Sequence, residues 1–201
     1  KQGVYFVQKS DKKKLLLHIL KSENIPSALI FTRTKRGADI ITKLLNDAHI
    51  HADSIHGNKS QQARQRALSN FKSNKTKVLV ATDIAARGID IDRLSHVFNY
   101  DIPEFAEAYV HRIGRTARAG LEATALSFCD PEEISYLSAI NKLIKQPISI
   151  IDDHPFKLVD IKSGENPADQ NKFVRRKGSF GFGKSGRNRS GRSFRKFKAK
   201  S

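Results

Sequence analysis

His111-Arg112-Ile113-Gly114-Arg115-Thr116-Ala117-Arg118 packs three arginines into seven residues, broken by a small glycine. Guanidinium forks grip phosphate oxygens in pairs and stay charged at any working pH, so this spacing suits a polyphosphate clamp. A solvated basic helix end is the plain alternative. A second cluster, Ala81-Thr82-Asp83-Ile84-Ala85-Ala86-Arg87-Gly88-Ile89-Asp90, follows the apolar run Val78–Ala81 directly. A hydroxyl, two carboxylates and a guanidinium at a strand's end are the groups from which nucleotide or phosphate contacts are built. An ordinary strand-to-helix connection with an N-cap would look similar. His49, His51 and His56 invite a metal reading but lack a fourth ligand at a convincing spacing, and read as residues of a surface strand. Gly178-Ser179-Phe180-Gly181-Phe182-Gly183-Lys184-Ser185 matches the formal phosphate-loop pattern. That pattern works only between a buried strand and a helix, and neither flank here can form one.

The elements that must position these clusters alternate along the chain. Val4–Val7 reads as a strand, and Ser10 can cap a helix carrying Leu15, Leu16, Ile19 and Leu20. Ala28–Phe31 reads as a strand, followed by Thr34 as N-cap of a helix with Ala38, Ile41, Leu44 and Leu45. Ala52–Ile55 and a helix opened by Ser60 come next. The strands Val78–Ala81, His96–Asn99, Thr124–Phe128 and Ile148–Ile151 follow, with helices near 104–113 and 131–144. The last helix has Asp130 as cap and Pro131 at its first position. This alternation predicts a doubly wound parallel α/β sheet with helices on both faces. Strands apolar at every position, such as Val78–Ala81, fit a sheet covered on both sides. Ligands should then sit beyond the carboxyl ends of the strands, where Thr32–Arg36, Thr82–Arg87 and His111–Arg118 fall.

The chain has 201 residues, 37 Lys and Arg against 20 Asp and Glu, and a net charge of +17. The excess is local. Residues 172–201 hold twelve of the basic residues and no acidic one, with five Gly, five Ser and five Phe. Such a segment buries too little surface to offset its ordering entropy, so it reads as a disordered basic tail. Phe173, Phe180, Phe182, Phe194 and Phe197 are interleaved with cations, which suits stacking on bases while the charges follow phosphates. The expected organisation is a domain over 1–155, a linker over 156–171 and an RNA-binding tail over 172–201. One cysteine, Cys129, excludes an internal disulfide framework and suits a reducing cytosol. No apolar run approaches the ~18–20 residues needed to cross a bilayer. Nothing at the N-terminus reads as a signal peptide, and Lys1 in place of Met suggests a fragment or a processed chain.

The two clusters, in this order and with 21 residues from Asp90 to His111, resemble motifs V and VI of DEAD-box RNA helicases. Leu29-Ile30-Phe31-Thr32-Arg33-Thr34-Lys35 is similar to motif IV, and Gln61-Gln62-Ala63-Arg64 to the QxxR element. Asn99-Tyr100-Asp101-Ile102-Pro103 is similar to motif Va. His56-Gly57-Asn58-Lys59-Ser60-Gln61 most resembles the bacterial RhlE-type group. Ala117, where the family usually has Gly, and Gln65, where Glu is common, depart from the pattern.

The resemblance covers about residues 1–150 and implies the C-terminal of the family's two RecA-like domains. It implies arginine fingers at Arg115 and Arg118 on the γ-phosphate of ATP and a ribose contact at Asp90. It further implies coupling to the partner domain through Arg87 and His111, and contacts to the RNA sugar–phosphate backbone from Thr34, Gly37, Arg64 and Thr82. The P-loop lysine and the carboxylates that hold Mg²⁺ belong to the family's N-terminal domain. Asp152-Asp153-His154 only echoes the missing Asp-Glu-Ala-Asp. The expected function is therefore the second motor domain of a cytoplasmic ATP-dependent RNA helicase, inactive by itself, with RNA and an N-terminal RecA-like domain as partners and no metal ligands of its own. A non-catalytic RNA-binding or annealing protein, using the basic tail on an inert scaffold, is the competing reading.

Overall fold

A computed structural model describes residues 1–87, 94–114 and 123–158. Seven strands form one sheet in the order β3-β4-β2-β5-β6-β1-β7, and every pairing is parallel. They are β1 (Gln2–Phe6), β2 (Ala28–Phe31), β3 (Ala52–Ile55), β4 (Val78–Ala81), β5 (His96–Asn99), β6 (Thr124–Cys129) and β7 (Ser149–Ile150). The helices between them are α1 (Lys12–Ser22), α2 (Lys35–Asp47), α3 (Gln61–Lys72), α4 (Asp83–Ala86), α5 (Ala106–Ile113) and α6 (Ile134–Ile144).

Helices cover both faces, as the alternation predicts. In β2, Ala28 and Ile30 point into a core shared with Leu15, Leu16 and Ile19 of α1 and Ala38, Ile41 and Leu45 of α2. Leu29 and Phe31 point the other way, into a core with Ala67 and Phe71 of α3. On that second face Val4 and Cys129 meet Tyr109 of α5 and Leu137 and Ile140 of α6. All four residues of β2 and of β4 are buried, which is why neither shows a two-residue alternation. Burial pushes the Cys129 thiol up to about 12, so this side chain is a small core residue without thiolate character at neutral pH.

Side-chain caps open three of the six helical segments among the described residues. The Thr34 hydroxyl accepts from the Gly37 amide, and the Ser60 hydroxyl accepts from the Ala63 amide. Asp130 and Glu133 form a reciprocal capping box around Pro131, over a 3-10 turn (Pro131–Glu133) that leads into α6. Several element ends differ from the sequence reading, among them β7, which is Ser149–Ile150 where 148–151 is expected. Asp11, not Ser10, occupies the position before α1, and its carboxylate reaches Lys14 instead of the helix amides. β1 begins two residues earlier than expected and ends at Phe6, although the Val7 amide still bonds to Cys129 O at 3.0 Å. Beyond β7, His154 and Phe156 fold back over α1, where His154 meets the Tyr5 ring edge-on and Phe156 meets His18.

Candidate nucleotide and nucleic-acid interface

All described site residues lie on loops and helix ends at the carboxyl edge of the sheet, where a parallel sheet presents ligand-binding groups. The loop after β2 is held from below by a buried ionic network. Lys12, 1% exposed, places its ammonium against Asp130 at 3.0 Å and Glu133 at 2.5 Å. The other oxygen of Glu133 accepts from Arg33 Nη2 at 2.9 Å and from the Ile102 amide at 3.2 Å. Burial pushes the Glu133 carboxyl up from its usual range, and the Lys12 ammonium works against that shift. The Arg33 amide donates to Asp101 Oδ2 at 2.8 Å, which joins the loops after β2 and β5. Thr34 stands at the surface next to this joint. Gly37 serves by clearance as well, since a Cβ there would come within 2.9 Å of the Thr34 hydroxyl oxygen.

The arginine cluster divides. Arg112 does not join a surface clamp, which corrects the reading of three equivalent arginines. It is 2% exposed and stacks over Phe31 with its guanidinium carbon 4.9 Å from the ring centroid. Its Nε and Nη2 donate to the two carboxylate oxygens of Asp83 at 2.6 and 2.8 Å, and Nη1 donates to Asn99 Oδ1 and Asp101 O. The planar fork thus fastens α5 to the start of α4 and to the end of β5. Arg112 sits beside Tyr109 on the buried stripe of α5, three residues apart, and that spacing was the available signal.

Arg87 and His111 line one cleft, together with Phe31, Asp83, Ala86, Ala108 and Arg112. Both are exposed. Arg64 is half-buried in the first turn of α3, with its amide bonded to Ser60 O at 3.0 Å. Thr82 is buried at the end of β4, and its carbonyl accepts from the amides of Ala85 and Ala86. Asp90, Arg115 and Arg118 lie outside the described residues, as do Ala117, the Gly178–Ser185 pattern and the tail.

The three histidines do not share one environment. His49 and His51 are exposed, but His56 is 2% exposed and directs Nε2 to Asp39 Oδ1 at 2.9 Å, which overturns its surface-strand reading. The two-residue period of β3 carries the reason: Ala52, Ser54 and His56 fall on one buried face. Among the described residues no group of three or more His, Cys, Asp or Glu is arranged to hold a metal ion, and no helix is long and apolar enough to cross a membrane.

Residues 11–120 match the helicase conserved C-terminal domain. The structure of the E. coli DEAD-box protein SrmB, solved with regulator of ribonuclease activity A, superposes with a TM-score of 0.76 at 34% identity, covering 82% of this chain and 97% of that one. The chain is a DEAD-box helicase C-terminal domain. It is 45% identical over 139 residues to the ATP-dependent RNA helicase vasa of Drosophila melanogaster, covering 69% of this chain and 21% of vasa. It is 44% identical over 144 residues to the ATP-dependent RNA helicase CshA of Listeria monocytogenes, covering 71% of this chain and 28% of CshA. The domain thus spans about a quarter of the length of these curated relatives. The Lys12–Glu133–Arg33 and Arg112–Asp83 networks tie together the loops after β2 and β5, the start of α4 and the end of α5.

Proposed function

We propose that this domain is the second motor domain of a cytoplasmic ATP-dependent RNA helicase of the RhlE-type group, which couples ATP binding and hydrolysis to local duplex unwinding or ribonucleoprotein remodelling. The observation that supports this most directly is the double hydrogen bond from Arg112 to Asp83. It fastens the cluster that carries Asp90 to the cluster that carries Arg115 and Arg118, as one nucleotide site drawing on both would require. In this reading Arg115 and Arg118 stabilise charge on the γ-phosphate, and Asp90 holds the ribose. Arg87 and His111 meet the N-terminal RecA-like domain, which supplies the P-loop and the carboxylates for Mg²⁺. Thr34, Gly37, Arg64 and Thr82 follow the RNA backbone without reading bases.

The test is ATP hydrolysis by the 201-residue chain, alone and with the N-terminal domain of the same protein. The chain alone is expected to hydrolyse no ATP above background, and the two domains together to show RNA-stimulated turnover. Robust hydrolysis by the chain alone would overturn the reading and return attention to Gly178–Ser185. No turnover from the joined domains would favour the annealing scaffold.

The basic tail makes a separate expectation. Deleting residues 172–201 should weaken binding to single-stranded RNA and flatten its salt dependence, by ~0.7 in the slope of log K against log salt for each phosphate the tail no longer neutralises. A titration series in rising KCl reads this directly, and an unchanged slope would reduce the tail to a solubility device.

A further inference from the structure

We propose that His56 is a positioning residue for RNA binding: it ties α2 to the loop that enters α3 and so holds Thr34, Gly37 and Arg64 in fixed register. The proposal rests on the reading of those three residues as backbone contacts.

A continuous chain of bonds runs through this corner. The Asn58 amide donates to His56 Nδ1 at 3.4 Å, which leaves the ring proton on Nε2, where it is donated to Asp39 Oδ1 of α2 at 2.9 Å. Lys59 also reaches Asp39 Oδ1, at 2.9 Å, and its amide bonds to His56 O. Burial alone would raise the Asp39 carboxyl; the His56 ring and the Lys59 ammonium outweigh it and hold the group below its usual range, so it stays ionised. Asn58 Oδ1 accepts from Lys35, the first residue of α2 and the neighbour of Thr34, at 2.9 Å. Ser60 then caps α3 and accepts from the Arg64 amide. Gly57 completes the corner: a Cβ there would stand 3.3 Å from Lys35 Cε, crowding the stem that reaches Asn58. Gly57, Asn58 and Ser60 are exposed, so the buried ring beneath them fixes their path. A backbone-reading surface needs its donors preset at the phosphate spacing, and a loop this exposed would otherwise have to be ordered at the moment of binding.

The test uses the 201-residue chain and a decauridylate, with affinity read from the amide signals of Gly37 and Ala63 by NMR, so that binding by the tail does not mask the site. His56→Asn can still meet Asn58 but not Asp39 and should bind about tenfold more weakly, the effect of losing one hydrogen bond to a charged group. His56→Gln reaches Asp39 and should recover to within about threefold of the parent. Asp39→Ala removes a negative charge beside the RNA path, and because Asp39 also accepts from the buried Ser54 hydroxyl at 3.3 Å, a urea melt first checks that the variant is folded under the binding conditions. Charge alone predicts tighter binding, whereas loss of the tie predicts about tenfold weaker binding. Unchanged or tighter binding by D39A, or equal affinities for H56N and H56Q, would overturn the role of His56. Arg64→Ala separates the two failures: if R64A binds as the parent does, or RNA leaves the Gly37 and Ala63 signals unmoved, the RNA face itself is misassigned and the proposal falls with it.

Discussion

Arg115→Lys and Arg118→Lys are each expected to lower turnover of the joined two-domain helicase by ~10³–10⁵, the effect typical of an arginine finger. Lysine keeps the charge but loses the planar fork that grips two phosphate oxygens at once. RNA binding through the tail should change little, because neither residue belongs to it. If these arginines are RNA contacts instead, the pattern reverses: RNA affinity weakens and turnover recovers at saturating RNA. Measuring kcat at saturating ATP and RNA beside the RNA dissociation constant distinguishes the two cases. Near-normal kcat in both variants would remove the catalytic assignment.

Arg112 should behave differently from its two neighbours in sequence, because its partners are inside the protein. Arg112→Ala leaves the Asp83 carboxylate, Asn99 Oδ1 and Asp101 O without four donated hydrogen bonds. We expect it to destabilise the domain by about 3 kcal/mol, the low end for breaking a buried pair, because the Asp83 side chain is 36% exposed and can be rehydrated. Arg112→Lys keeps the charge but not the fork, and should cost about half as much. Urea midpoints at a constant m-value read both. A midpoint for R112A unchanged from the parent would mean that the Asp83 pairing contributes nothing to stability.

What the sequence revealed and what it hid follow from whether the deciding partner is near or far along the chain. Val78–Ala81 and Ala28–Phe31 declare themselves as strands because every side chain is apolar, and Thr34, Ser60 and Asp130 declare helix starts because a cap acts within three residues. Strand order was hidden, since β2 pairs with β4 and β5 through backbone groups that carry no residue identity. Arg112, Arg115 and Arg118 look alike at a regular spacing of three. The local sign that sets Arg112 apart is Tyr109 three residues before it, while the carboxylate that holds it inside, Asp83, lies 29 residues away. Lys12 is likewise lost in the run Lys12-Lys13-Lys14, and its burial depends on Asp130 and Glu133 from the far end of the domain.

The position of β1 between β6 and β7 has a consequence for how the chain comes to be folded. Strands β2 to β5 span residues 28–99 and form one contiguous half of the sheet, which can assemble from neighbouring segments as they are synthesised. β1 cannot join them, because its partners are Ala125–Cys129 on one side and Ser149–Ile150 on the other. Ribosomes add ~5–20 residues per second, so the segment with Val4, Tyr5 and Val7 waits on the order of ten seconds before a partner strand exists. Closing a loop of ~120 residues then costs about 1 kcal/mol more chain entropy than closing one a third as long. Within this domain the first strand is therefore among the last to be seated, and until then an apolar strand and the open edge of β6 are the surfaces on which the domain would aggregate or engage a chaperone.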